Sequence, residues 1–245
     1  MGYHWNWGIF FEQVKGGEET YLDWLITGLG WTVAVSLSAW VLAFVVGVAV
    51  GAARTAPKAW LANLAFAWVE LFRNVPLLVQ LFLWFFVFPE LLPKELSLWV
   101  KQDMPAKEFV TASLCLGLFT SARIAEQVRS GIGSLARGQR MACLALGFTL
   151  PQAYRYVILP VALRVILPPL TSELMNIFKN SSVAFAIGVL ELTFQARQMQ
   201  EDSEQGIETY LAVTVLYFIC AFIANRFMAM IEQRNRVPGY IAVPR

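Results

Sequence analysis

Long runs of uncharged apolar residues, separated by short polar connections, dominate the pattern of this chain. The clearest covers residues 24–53, thirty positions without a charge, closed by Arg54 and Lys58. A helix crossing hydrocarbon needs about 20 apolar residues, so this run is long enough to cross with tilt. A second apolar stretch, about 60–88, is interrupted by Glu70 and Arg73, spaced to pair across one helical turn, and Pro76 bends whatever helix continues. The third, about 109–130, is uncharged only as far as Ala122, so a full crossing must carry Arg123 and Glu126 with it. The fourth, about 161–190, contains Pro168-Pro169, Glu173 and Lys179, which predicts a kinked or broken helix. The fifth runs about 209–231. The expected fold is therefore all-α and membrane-integral, with five transmembrane helices.

Composition agrees: 58% of the 245 residues are apolar and 15% charged, against about 45–50% and 25% in soluble domains. Cys115, Cys143 and Cys220 are odd in number and widely spaced, which predicts packing residues rather than disulfides. A single histidine, His4, cannot build a metal cluster, and no metal site is expected. No Gly-x-x-x-x-Gly-Lys-Ser/Thr phosphate loop occurs, so no nucleotide site is expected in this chain. The first twenty residues hold Trp5, Trp7, Phe10 and Phe11 among polar groups and lack a basic region before a short apolar one, so no removable signal peptide is expected. The formal net charge is +2, and the 19 Lys and Arg are spread along the chain, which gives no nucleic-acid footprint.

How the charges are distributed changes the picture more than their sum. One set of connections holds Arg54, Lys58, Arg129, Arg137, Arg140, Arg155, Arg234, Arg236 and Arg245 against Glu232 alone, a net +8; the other set nets −8. Lys and Arg are biased toward cytoplasmic loops, so the N-terminus is expected outside and the C-terminus in the cytoplasm, an alternation that closes only for an odd number of spans.

The longest basic connection, 134–160, reads as two short helices meeting at a corner. Gly147 suits a left-handed stop for the first helix, and Thr149 with Gln152 forms a capping-box pattern for the second, which is expected to end near Pro160. Either a docking surface or an amphipathic loop on anionic lipid satisfies this pattern.

The residue order adds information that geometry does not. Met141-Ala142-Cys143, then Gly147, then Val157-Ile158-Leu159-Pro160 resembles the EAA loop of ABC importer permeases, which reads Glu-Ala-Ala, three residues, Gly, nine residues, Ile, any residue, Leu, Pro. Met141 stands in the place of the Glu, Cys143 of the second Ala and Val157 of the Ile. Glu70 to Gln80, Gly117 to Arg123 and Lys179 to Ser182 extend the resemblance to the polar amino-acid uptake family, and within it to permeases of glutamate and aspartate import. The resemblance implies a type I ABC importer permease fold over 22–233, a periplasmic segment 1–21, a cytoplasmic coupling loop 134–160 and a cytoplasmic tail 234–245 in a bacterial inner membrane. It also implies no enzymatic activity of its own and no cofactor in this chain. ATP and Mg would sit on two copies of a partner ATPase. Further partners would be a second permease, a paralogue or an identical copy, a periplasmic amino-acid-binding protein, and membrane lipid. Arg140, Met141, Ala142, Gly147, Thr149, Gln152 and Pro160 would meet the ATPase, while Arg73, Pro76 and Pro168 would be structural.

A charge near the bilayer centre costs roughly 2.5–3.5 kcal/mol on insertion scales, so such residues face a partner or a cavity. Arg123, Glu126, Glu173, Lys179, Asn180 and Ser181 are the candidates for a substrate path. Arg123 and Glu126, three apart, fit a self-neutralising pair, and Arg123 equally fits a planar fork for a substrate carboxylate. Relatives for other amino acids often carry an aromatic residue there, a difference that fits an acidic substrate. Lys179, Asn180 and Ser181 read either as donors along the path or as interfacial snorkelling. The alternatives in other classes are a stand-alone ion-coupled transporter or channel using Glu126 and Glu173, and an intramembrane enzyme.

Overall fold

A computed structural model of the chain describes residues 4–135 and 137–235, with the side chain of Arg137 outside that description. Arg236, Arg245 and all but the start of the expected tail therefore lie outside the described residues. Eleven α-helices occur among those described: α1 (Tyr21–Ala53), α2 (Ala59–Asn74), α3 (Leu77–Phe82), α4 (Lys94–Leu98), α5 (Lys107–Gly133), α6 (Arg137–Ala145), α7 (Leu150–Ala153), α8 (Leu159–Val165), α9 (Leu167–Asn180), α10 (Leu192–Ser203) and α11 (Gly206–Arg234). No strand is formed among them, only an isolated bridge between Gln13 and Thr20.

α1, α5 and α11 are each long and apolar enough to cross a membrane. Two bent helical runs raise the number to five if each is one span: Ala59–Asn74 with Leu77–Leu91, bent by 104°, and Leu150–Val165 with Leu167–Ile187, bent by 65°. Proline sets both bends. Pro76 forces Val75 out of the helical region, to φ −98° and ψ 130°, and α3 starts afresh beyond it. Pro168 and Pro169 fall in the first turn of α9, where their missing N–H groups cost nothing, while α8 stops at Ile166.

The chain divides into two compact units. The first comprises Met1–Ala39, Pro76–Leu116 and Asn176–Phe222. Its core is Leu25, Leu192, Ala196 and Val213, continued by Ile9, Tyr21 and Met199. A side chain at Gly28 would meet Gln195 Cγ at 2.8 Å, so glycine is what lets α1 pass α10 this closely. Glu191, fully buried, caps α10 by accepting from Thr193 N and Phe194 N, each at 2.9 Å, and also accepts from the Tyr217 hydroxyl. Burial raises its pKa above the usual carboxylate value. The N-terminal segment is tied down by Asn6 N donating to Glu208 at 2.8 Å and by Tyr21 donating to Asp202 at 2.6 Å.

The second unit comprises Trp40–Val75, Gly117–Met175 and Ile223–Arg245. Here the end of α1 packs directly on α5. A Cβ at Gly47 would lie 2.7 Å from Ile124 Cβ, and one at Gly51 would lie 2.6 Å from both Ala125 O and Val128 Cβ. Gly131 makes the same kind of contact with α8, its ideal Cβ falling 2.6 Å from Ile166 Cγ2. Val41 and Val45, on the other side of α1, are exposed, as expected of a helix whose solvent is hydrocarbon. All three cysteines are free and buried.

Three expectations need correction. Glu70 does not take Arg73 as its hydrogen-bond donor; it accepts from Asn74 Nδ2, four residues along the same face, at 2.8 Å. Arg123 and Glu126 do not neutralise each other: Arg123 pairs with Glu173 of α9, and Glu126 pairs with Arg129 of its own helix and with Arg54, just past α1. The helix after Thr149 does not end near Pro160. A π turn at Tyr154–Ile158, with Leu159 N bonded to Tyr154 O, shifts the hydrogen-bond register so that Pro160 falls in the first turn of α8.

Gly51→Ala is expected to lower the thermal midpoint of the solubilised protein by several degrees, since overpacking of about 1–3 kcal/mol outweighs the roughly 1 kcal/mol by which alanine favours a helix. Gly133→Ala, where nothing lies within 4 Å, should not lower it; equal losses in the two variants would disprove the α1–α5 contact. The hydrogen bond from Tyr21 holds Asp202 below the usual carboxylate range. A depressed pKa adds stability above the unfolded value, near pH 4, that disappears as pH falls through the folded one. The stability difference between wild type and Asp202→Asn should thus be constant above about pH 4 and shrink below it in acid unfolding curves.

Candidate functional site

The basic connection folds into a corner built from α6, α7 and the π turn. α6 ends in a Schellman arrangement: Gly147 adopts φ +86°, Gly147 N donates to Leu144 O at 3.0 Å, and Phe148 N donates to Cys143 O at 3.1 Å. Two residues on, α7 opens with the capping box, Gln152 Oε1 accepting from Thr149 N at 2.8 Å and from Thr149 Oγ1 at 2.9 Å. The inner side of the corner rests on Cys143, Ala153 and Ile158, with Ile132 and Leu135 against them. The outer side is open. Met141 is 72% and Leu146 79% exposed, alongside exposed Arg140, Ala142, Arg155 and Tyr156. A groove of ≈ 580 Å³ runs beside it, lined by Thr55, Gln139, Arg140, Met141 and Leu144. Apolar knobs ringed by arginines on a rigid, capped turn suit a protein partner.

The ionisable residues sort into two clusters in the same unit. In one, Arg123 Nε lies 3.3 Å from Glu173 Oε2, and Gln127 Nε2 donates to Glu173 Oε1 at 3.0 Å. Oε2 makes no well-aligned hydrogen bond, so its contact with Arg123 is an ion pair. The side chain of Glu173 is 8% exposed and that of Arg123 is 42% exposed, so the acid is sunk in the protein and the guanidinium stays open on one side. In the other, Glu126 ties the end of α1 to α5: Arg54 Nη1 reaches Oε2 at 3.1 Å, and Arg129 Nε and Nη2, one turn along α5, reach Oε1 at 2.7 and 2.5 Å. Arg54 also lies over the ring of Phe66, 5.0 Å from its centroid. Glu126 is thus fully engaged in holding α1 to α5. Arg73 and Pro76 are exposed at the α2–α3 bend.

Lys179, Asn180 and Ser181 belong to the other unit. Lys179 is exposed, while Ser181 is buried and donates to Phe178 O at 2.8 Å. The sequence reading missed Gln127, although it lies four residues after Arg123 on the same face. It also missed Arg54 as the partner of Glu126 and the hydroxyl of Tyr154, which donates to Thr55 O at 2.9 Å. Only Gln127 left a signal in the spacing; the other two pairs join residues 72 and 99 positions apart.

Residues 43–237 match the family described as "Binding-protein-dependent transport system inner membrane component". The chain belongs to this family of inner-membrane permeases. The permease is 47% identical to the glutamate/aspartate import permease protein GltJ of Escherichia coli K12, over 98% of each chain. It is 30% identical to the glutamate/aspartate import permease protein GltK of Escherichia coli O6:H1, over 87% of this chain and 94% of that one. Its fold matches the crystal structure of an amino acid ABC transporter with histidines at a TM-score of 0.72 and 28% identity, covering 87% of the permease and 95% of that chain. Permeases of this family are translocation components, and their ATPase is a separate subunit.

Only a positive φ constrains Gly147, since nothing lies within 4 Å of an added Cβ. Gly147→Val should therefore loosen the corner at a cost of about 1–2 kcal/mol or more, seen as faster tryptic cleavage at Arg140 and Arg155. Gly138→Val, equally unobstructed but helical, should leave cleavage less changed; the reverse order would show that the left-handed turn is not what holds the corner.

Proposed function

We propose that this permease moves glutamate and aspartate inward across the bacterial cytoplasmic membrane, in a complex with two copies of an ATP-binding subunit. A second permease, a paralogue as the GltJ and GltK names suggest, and a periplasmic amino-acid-binding protein complete it. The likeness to GltJ over 98% of both chains supports the substrate class, but the observation that carries it is the posture of Arg123. Glu173, buried beneath it and steadied by Gln127, pairs with the guanidinium at Nε. The guanidinium has five donors in a fixed fork, so the exposed side remains able to take a carboxylate in two parallel bonds. An acidic amino acid brings two carboxylates, one more than this fork needs. Lys179 and Asn180 are the proposed donors for the rest of the path, beside Ser181, whose hydroxyl is spent on Phe178 O.

In the same reading five spans, about 24–53, 60–88, 109–130, 161–190 and 209–231, place segment 1–21 in the periplasm. The basic connections and the tail 234–245 then face the cytoplasm, as the positive-inside bias favours. The corner within 134–160 seats in the ATPase through Arg140, Met141, Ala142, Gly147, Thr149, Gln152 and Pro160. With Met141 in place of a carboxylate, the contact is more apolar than the family pattern suggests, and the exposure of Met141 and Leu146 supports that. ATP and Mg act on the partner. Closure of the partner moves the corner as a rigid body.

Uptake of radiolabelled glutamate into proteoliposomes should require the ATPase, the second permease and the binding protein together; uptake by the permease alone would overturn the proposal. Arg123→Leu should lower glutamate and aspartate uptake by about 10-fold or more while the complex still co-purifies. Arg123→Lys, which keeps a cation beside Glu173 but loses the fork, should assemble as well and regain uptake only in part, and unchanged transport in both would remove Arg123 from the path.

A further inference from the structure

Tyr154 connects two features described separately above. Its ring packs against the buried cluster of Cys143, Ala153 and Ile158 inside the corner. Its hydroxyl reaches out to Thr55, donating to the carbonyl oxygen at 2.9 Å and lying 3.1 Å from Oγ1. Thr55 Oγ1 spends its own hydrogen on Ala52 O at 2.8 Å, so both Thr55 oxygens present lone pairs to the tyrosine. Thr55 is the second residue beyond the end of α1. Its neighbour Arg54 is the residue that grips Glu126 of α5, and one turn earlier Gly51 presses its backbone on Ala125 and Val128. The end of α1 and the end of α5 therefore form one stiff body, and the tyrosine hydroxyl hooks the corner onto it.

Packing and hydrogen bonding transmit movement differently. Apolar contact resists compression, but a gap of 0.5–1 Å already forfeits a quarter to a half of its attraction, so it pushes better than it pulls. A hydrogen bond is directional and resists separation as well as approach. We propose that Tyr154, through its hydroxyl on Thr55, is a positioning residue for transport: it lets the corner draw the α1–α5 pair back as well as push it. This rests on the reading of the chain as the permease of an ATP-driven importer.

The test uses the full complex in proteoliposomes, with ATP hydrolysis and glutamate uptake measured on the same preparation. Tyr154→Phe keeps the ring in its cluster and removes only the hydroxyl. It should assemble normally and keep its ATPase stimulated by binding protein, while glutamate moved per ATP falls about two- to tenfold, the factor one hydrogen bond carries. Thr55→Ser retains both acceptors and should keep the wild-type ratio, and Tyr154→Phe with Thr55→Val should be no worse than Tyr154→Phe alone. A wild-type ratio in Tyr154→Phe, independent and multiplying losses in the double variant, or failure of Tyr154→Phe to assemble would each overturn the inference. Absence of ATP-dependent uptake in the wild-type complex would instead defeat the underlying reading of function.

Discussion

Hydrocarbon offers no water to a charged side chain, so each ionisable group along a spanning helix must find its counter-charge in the protein or open onto a polar cavity. In this permease the rule fixes which helices touch. Glu126 takes Arg54 from the end of α1 and Arg129 from its own helix, and Glu173 of α9 takes Arg123 of α5. The glycine contacts follow the same lines: Gly47 and Gly51 let α1 close on α5, and Gly131 lets α8 do so. Charge pairing and backbone proximity thus act on one set of interfaces. Neither alone gives the result, since an ion pair tolerates sliding and a glycine seam has no preferred register of its own.

The two clusters differ in what they leave over. Glu126 receives two guanidinium groups and has nothing further to offer a passing solute. Arg123 is held by one buried carboxylate and keeps an open side. That asymmetry separates a fully engaged joint from a guanidinium with donors to spare, and it cannot be read from the presence of four charged residues in apolar runs. It emerges only once partners are assigned.

Local signals in the sequence translated faithfully into structure. The left-handed stop at Gly147, the Thr149–Gln152 capping box and the bends at Pro76 and Pro168 all depend on residues within one turn of each other. So did the expectation that α1, α5 and α11 form helices long and apolar enough to cross a membrane, which is a property of composition. What could not be read was pairing at a distance. The i,i+3 spacing of Arg123 and Glu126 suggested mutual neutralisation, and so did that of Glu70 and Arg73; Glu173 took Arg123, Arg54 and Arg129 took Glu126, and Asn74 took Glu70. Pro160 misled for a related reason. A proline normally closes a helix, but the π turn before it reassigns the hydrogen bonds so that the ring sits where the helix has no donor to lose.

The exposed corner has a bearing on the life of the chain before assembly. Met141 and Leu146 stand exposed on a turn that its caps prevent from folding away. A copy synthesised ahead of whatever covers that turn displays a sticky, unshielded knob, the feature by which quality-control proteases and chaperones distinguish orphans from finished complexes.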